Sequence, residues 1–179
     1  MKIGKQTIRV STVFGAKSAG LIVFAISLVF AGSFLYNFGG GILDSLAAIY
    51  ANVLVLLTNK DRALQNVSEL KVSPLLEIAA QMKANDMASK SYFAHNTPDG
   101  KTPWYWLEQA GYKYLYAGEN LAVNFVESED IQKAWMASPR HRSNIINPKF
   151  TEIGIATSTG IYKGREAVFV VQMFGAPIK

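Results

Sequence analysis

Between Ser18 and Leu43 the chain carries no charged residue for 26 consecutive positions, and Asp44 ends the run. Its dense part, Ala19 to Tyr36, has only Ser27 and Ser33 as polar interruptions. A soluble helix of that length would keep a polar face. About 20 helical residues cross a hydrocarbon core of about 30 Å, so the pattern predicts a transmembrane helix. The triple glycine Gly39–Gly41 then reads as a flexible joint. A second apolar stretch over 45–58 is too short to span comfortably. Leu46, Ile49, Tyr50, Val53, Leu54 and Leu57 recur on one helical face, which predicts a helix from about 45 to 66 that docks into a domain. A second membrane crossing is the alternative, and it would return the remaining chain to the cytoplasm.

The later pattern switches between two periods. Ser73-Pro74 opens a helix to about Ser91, with Leu75, Ile78, Ala79 and Met82 as its apolar stripe. The segment Asn96 to Gly100 is rich in turn formers. Thr102-Pro103 begins a short helix that Gly111 can end, and Ser128 begins another that Ser138-Pro139 breaks after Ala137. From Ile153 onward the pattern is that of strands. Ile153, Ile155 and Thr157 alternate with small residues, and Val168 to Phe174 is β-branched and aromatic. Turn signals at Thr159-Gly160 and Lys163-Gly164 suggest a hairpin between them. Helices followed by strands predict an α+β domain with helices packed on an antiparallel sheet.

Charge changes the picture of the N-terminus. The chain of 179 residues has a formal net charge of +5. Lys2, Lys5, Arg9 and Lys17 supply four of those charges in residues 1–17, where no acid stands; the rest of the chain is nearly neutral. A nucleic-acid partner is therefore not expected. Positive residues before a span remain in the cytoplasm. Residues 1–17 form a cytoplasmic leader, 18–43 a signal anchor and joint, and 45–179 an extracytoplasmic domain at the cell membrane. Secretion after cleavage near Ala31-Gly32-Ser33 is the competing reading. The chain has no cysteine, which excludes a thiol nucleophile and a cysteine zinc site.

Phosphate-loop, H-E-x-x-H and G-x-S-x-G patterns are absent. Both histidines lie in loop-like contexts, His95 before the turn-rich segment and His141 after Ser138-Pro139, and Glu119 stands on a predicted turn between them. Two imidazoles and a carboxylate suit a divalent cation or acid–base work. Trp104, Tyr105 and Trp106 serve either as core or as a stacking surface for sugar or lipid. Arg140 and Arg142 flank His141 and would disfavour its protonated form if they lay close to it.

An ordered set of segments resembles the CAP superfamily (cysteine-rich secretory, antigen 5 and pathogenesis-related 1 proteins), and particularly its bacterial SCP-like branch. The set includes Leu56-Leu-Thr-Asn-Lys-Asp-Arg62, Tyr92-Phe-Ala-His95, Ala117-Gly-Glu-Asn-Leu-Ala122, Ala134-Trp-Met-Ala-Ser-Pro-Arg-His141, Asn147-Pro-Lys-Phe150 and Gln172-Met-Phe-Gly175. The resemblance runs from about residue 50 to 176. It implies a three-layer α-β-α sandwich with an open cleft holding His95, Glu119 and His141. Some family members bind zinc or another divalent ion there. The second family acid, three residues after the helix tryptophan, is replaced here by Ser138. The resemblance implies binding at the cell envelope, of a lipid or cell-wall ligand or of a metal. A metal-dependent hydrolase, with Glu119 as candidate catalytic base, is the alternative, and a structural surface protein is a third reading.

Overall fold

Alanines make up most of the face by which the main helix meets the sheet. In the computed structural model, which describes residues 50–125 and 127–178, helix α2 (Pro74–Lys90) buries Leu76, Ala79, Ala80, Ala84, Met87 and Ala88. The expected stripe is therefore rotated: Leu75 and Ile78 are 41% and 49% exposed. The reason lies across the interface, on strand β3 (Glu152–Tyr162). A Cβ on Gly154 would stand 2.2 Å from the Leu76 main chain, and one on Gly160 would stand 2.6 Å from the Ala88 carbonyl oxygen. Six strand residues cover about 20 Å. The 12 helical residues between Leu76 and Ala88 cover about 18 Å. The two glycines thus let the α2 main chain lie directly against β3, at Leu76 and at Ala88.

The elements run α1 (described over 50–64), β1 (Lys71–Val72), α2, α3 (Trp104–Gln109), β2 (Tyr114–Val123), α4 (Ser128–Ala137), α5 (Pro139–Ile145), β3 and β4 (Arg165–Pro177). The sheet order is β1-β3-β4-β2. β1 pairs parallel with β3, and β4 pairs antiparallel with both β3 and β2. Alternate residues of β4 feed two separate cores. Ala167, Phe169, Val171 and Met173 pack toward α2 and α3, whereas Val170 and Phe174 pack toward α1, α4 and α5. This is the α-β-α sandwich, with mixed α and β content and a four-stranded sheet.

The β3–β4 hairpin forms as expected, turning at Lys163-Gly164, both with positive φ. Strand β2 was not expected, because Gly118-Glu119-Asn120 reads as a turn. Gly118 instead serves close approach: a Cβ there would meet the Phe150 ring at 2.8 Å. Glu119 therefore stands on a strand. Likewise His141 stands on helix α5 and not in a loop. Ser138-Pro139 both ends α4 and begins α5, since proline suits a first helical position.

The leader, the apolar run and the glycine joint lie outside the described residues. Helix α1 buries Ala51, Leu54, Thr58 and Arg62, a docked helix on a face offset from the expected one. Among the described residues no helix is long and apolar enough to cross a membrane. Arg62 is fully buried and donates to four main-chain carbonyls, those of Ser68, Ile145, Asn147 and Phe150, at 2.7 to 3.2 Å. It ties α1 to the end of α5 and the approach to β3.

Candidate functional site

Edge strand β2 runs between the two helical layers, and successive residues serve different sides. Glu119 pairs in register with Met173 and faces the α2 layer; Asn120 pairs with Gln172 and faces the other. The loop after α2 brings His95 over Glu119. Its Nδ1 lies 2.6 Å from Glu119 Oε1. With the carboxylate ionised, Nδ1–H donates, and the imidazole presents Nε2 away from the acid. The His95 side chain is 56% exposed and that of Glu119 only 2%. The other carboxylate oxygen, Oε2, is buried and makes no hydrogen bond. Burial pushes the Glu119 carboxyl above its ordinary range; the His95 hydrogen bond and the Lys83 charge act in the opposite direction.

Lys83 was absent from the expected site. It is fully buried on α2, and its Nζ donates to Tyr92 Oη at 3.0 Å and to the carbonyls of Ala94 and His95, both at 2.9 Å. Tyr92 Oη in turn donates a hydrogen bond to Asp86 Oδ2 at 2.6 Å. Three acceptors use all three ammonium hydrogens. Burial lowers the Lys83 pKa, while Glu119 and Asp86 oppose that shift. The available signal in the sequence was a lysine within the small-residue stripe of α2, one turn after Ala79 and next to Ala84.

Asn144 on α5 joins the site from the opposite layer. Its Nδ2 donates to the Glu119 carbonyl at 3.0 Å and to Asn120 Oδ1 at 2.9 Å. From there a directed chain crosses the core. Asn120 donates to Gln172, Gln172 to Thr58, Thr58 to Gln132, and Gln132 to the Asp61 carboxylate. Each side chain between Asn144 and Asp61 gives and receives, so buried polarity is satisfied without a charge in the middle. Asn120 Nδ2 also donates to the His141 carbonyl at 3.2 Å, so both asparagines bond backbone, one from a strand and one from a helix.

His95, Glu119 and Asn144 line an open cleft of about 460 Å³, with Asn96, Thr102 and Trp104 on its walls. His141 lines an adjoining pocket. Burial pushes its imidazole below the ordinary value, and the charge of His95 acts in the same direction. The flanking arginines are not the cause. Arg142 donates to Gln65 and Arg140 is exposed. Among the described residues no three His, Asp or Glu side chains are grouped to hold a metal ion. Glu119 Oε1 is engaged with His95 Nδ1, and His141 lines the second pocket. The aromatic triplet divides: Trp106 is core, and Trp104 is half-buried at the cleft wall.

A family model described as the Cysteine-rich secretory protein family matches residues 55–174. The chain belongs to the CAP family. This CAP domain contains no cysteine, so packing and hydrogen bonds hold it together. It is 39% identical over 111 residues to the YkwD protein of Bacillus subtilis, covering 62% of this chain and 43% of YkwD. It is 28% identical over 107 residues to YlbC, a membrane protein of the same organism, covering 59% of this chain and 31% of YlbC. The chain thus spans less than half the length of these two relatives. Among solved structures, an extracellular SCP-domain protein from Bacillus anthracis superposes with a TM-score of 0.62 at 26% identity, covering 72% of this chain and 41% of that one. An outer surface protein of Borrelia burgdorferi shares the fold, with a TM-score of 0.61 at 24% identity over 71% of this chain and 92% of that one.

Proposed function

We propose that this protein is a membrane-anchored CAP domain displayed outside the cytoplasm, which binds a polar, uncharged component of the cell envelope in the His95/Glu119 cleft. The observation that carries the reading is the Glu119 carboxylate. It is buried at 2.6 Å from His95 beneath an open cleft, with its second oxygen unpartnered. An unsatisfied buried carboxylate oxygen costs stability, and such a cost is more readily retained where a site uses it. Glu119 fixes the ring, and Nε2 meets the ligand together with Asn96, Thr102 and the Trp104 face. An extracellular relative, a relative that is a membrane protein, and the basic leader before an apolar run support the location.

Binding is favoured over hydrolysis by the donor geometry. A metal-dependent hydrolysis would use Glu119 as base on an attacking water, and here that carboxylate is buried and engaged by His95. The test is biolayer interferometry with the full chain in lipid nanodiscs and a soluble digest of bacterial cell wall as probe. Saturable binding weakened at least tenfold by His95→Ala and by Glu119→Gln is expected. Equal binding by the three proteins would sink the proposal.

A further inference from the structure

The cleft has a neighbour of opposite character. A second pocket of about 260 Å³ is walled by Phe93, Leu121, Val123, Phe125 and Trp135, with His141 and Ser138 at its polar margin. The two pockets are built in parallel. The loop after α2 gives His95 to the first and Phe93 to the second; β2 gives Glu119 and Leu121; α5 gives Asn144 and His141. The steps are two residues along extended or loop chain and three along a helix. On β2 that step is about 7 Å. The two linings take successive stretches of the edge strand, Ala117–Glu119 for the first and Leu121–Val123 for the second, and we read them as one trough along it.

We propose that this trough holds an extended peptide segment, with a hydroxyl or amide side chain in the His95/Glu119 cleft and an apolar side chain two residues along in the pocket beside His141. The inference rests on the binding reading above for its first pocket. An extended chain presents side chains of one face at the same spacing of about 7 Å, so both pockets fill without bending the ligand. Strand addition to the edge is not the mode. The Glu119 carbonyl already accepts from Asn144 Nδ2, and the Leu121 carbonyl accepts from Trp135 Nε1 at 3.0 Å. Recognition therefore lies in the side chains. The first side chain is uncharged, because the hydrogens of Lys83 are all engaged and the buried carboxylate already has Lys83 and His95 near it. An acyl chain would fill the apolar pocket and leave the polar cleft idle. A glycan would set its hydroxyls against Phe93, Leu121 and Phe125.

The test uses fluorescein-labelled, end-blocked hexapeptides and the full chain in nanodiscs, read by anisotropy. One peptide is Gly-Gly-Ser-Gly-Leu-Gly; the control, Gly-Gly-Ser-Leu-Gly-Gly, brings the two side chains to adjacent positions on opposite faces. The first should bind at least tenfold tighter. Ala134→Trp, at an exposed position on the wall of the second pocket, should lower that binding at least tenfold with thermal unfolding unchanged, as should His95→Ala. Equal binding of the two peptides, or binding indifferent to Ala134→Trp, overturns the inference. If neither peptide binds while the cell-wall digest still binds and is lost in His95→Ala, the peptide inference fails and the binding reading stands. If neither peptide nor digest binds, both fall.

Discussion

Lys83 Nζ donates to the main-chain carbonyl of His95 at 2.9 Å, so the loop that carries the exposed imidazole hangs from a buried ammonium on α2. Replacing Lys83 by Met keeps the length and removes the donor. The carbonyls of Ala94 and His95 then lose their partner, and Glu119 loses the nearby positive charge. Removing one member of a buried polar set costs about 3 kcal/mol. Urea unfolding of Lys83→Met should show a loss of that order, and amide exchange should accelerate at residues 92–95. Unchanged exchange there would mean that Lys83 does not position the loop.

The approach of α2 to β3 is equally testable. At Gly154 an added Cβ lies within 2.6 Å of three Leu76 and Glu77 atoms, two of them backbone, so no side-chain rotation can relieve it. Overpacking of this kind costs about 1–3 kcal/mol or more. Gly154→Ala should fall at or above the top of that range. Gly164→Ala, where nothing lies within 4 Å and only the positive φ of 76° resists, should cost about 1 kcal/mol. Denaturation midpoints of the two variants give the comparison. A smaller loss at Gly154 than at Gly164 would contradict the close approach.

His141 sets a pH dependence of definite sign. Its folded pKa is depressed by burial and by His95. Between that value and 6.5 the unfolded chain binds more protons than the folded one, so stability rises with pH across the window and falls on acidification. His141→Gln should lessen this acid sensitivity. The measurement is the melting temperature of both proteins between pH 5 and pH 7.5. Parallel curves would show that His141 is not desolvated in the folded state.

Zinc gives a further check on the donor geometry. A site built from His95, Glu119 and His141 would bind zinc in the micromolar range or better. With Glu119 engaged by His95, calorimetry of the full chain at neutral pH should show no micromolar isotherm. An isotherm of that strength abolished by each of His95→Ala, His141→Ala and Glu119→Gln would show that the three side chains converge on the ion.

Much was legible in the sequence where a local rule and a tertiary preference agree. Pro74 placed the start of α2, the β-branched run from Val168 placed β4, and Lys163-Gly164 placed the hairpin turn. The family resemblance placed His95 and Glu119 near one another, which their 24-residue separation could not do. Local rules failed where a residue answers to a distant neighbour. Gly118 resembles a turn glycine because its reason, the Phe150 ring, lies 32 positions away. The apolar stripe of α2 is rotated from the expected one: Leu75 and Ile78 outweigh alanines in hydropathy, while the close approach at Gly154 and Gly160 turns Leu76 and Ala88 onto the sheet.

By itself, the sequence determined the class of the domain, helices α2, α3 and α4 with the β3–β4 hairpin, and which residue types were available for chemistry. Those follow from backbone geometry and side-chain period, which act over a few residues. The tertiary structure alone decided which polar groups would be buried and with whom. Lys83 takes its acceptors from the loop folded back over α2, while Arg62 amid four carbonyls and Asn120 in a chain ending at Asp61 depend on acceptors brought from distant elements. A buried polar group is tolerable only when a partner meets it, and hydrogen-bond partners are fixed by three-dimensional position and not by sequence distance. For the same reason the role of Glu119 emerged only with its 2.6 Å contact to His95.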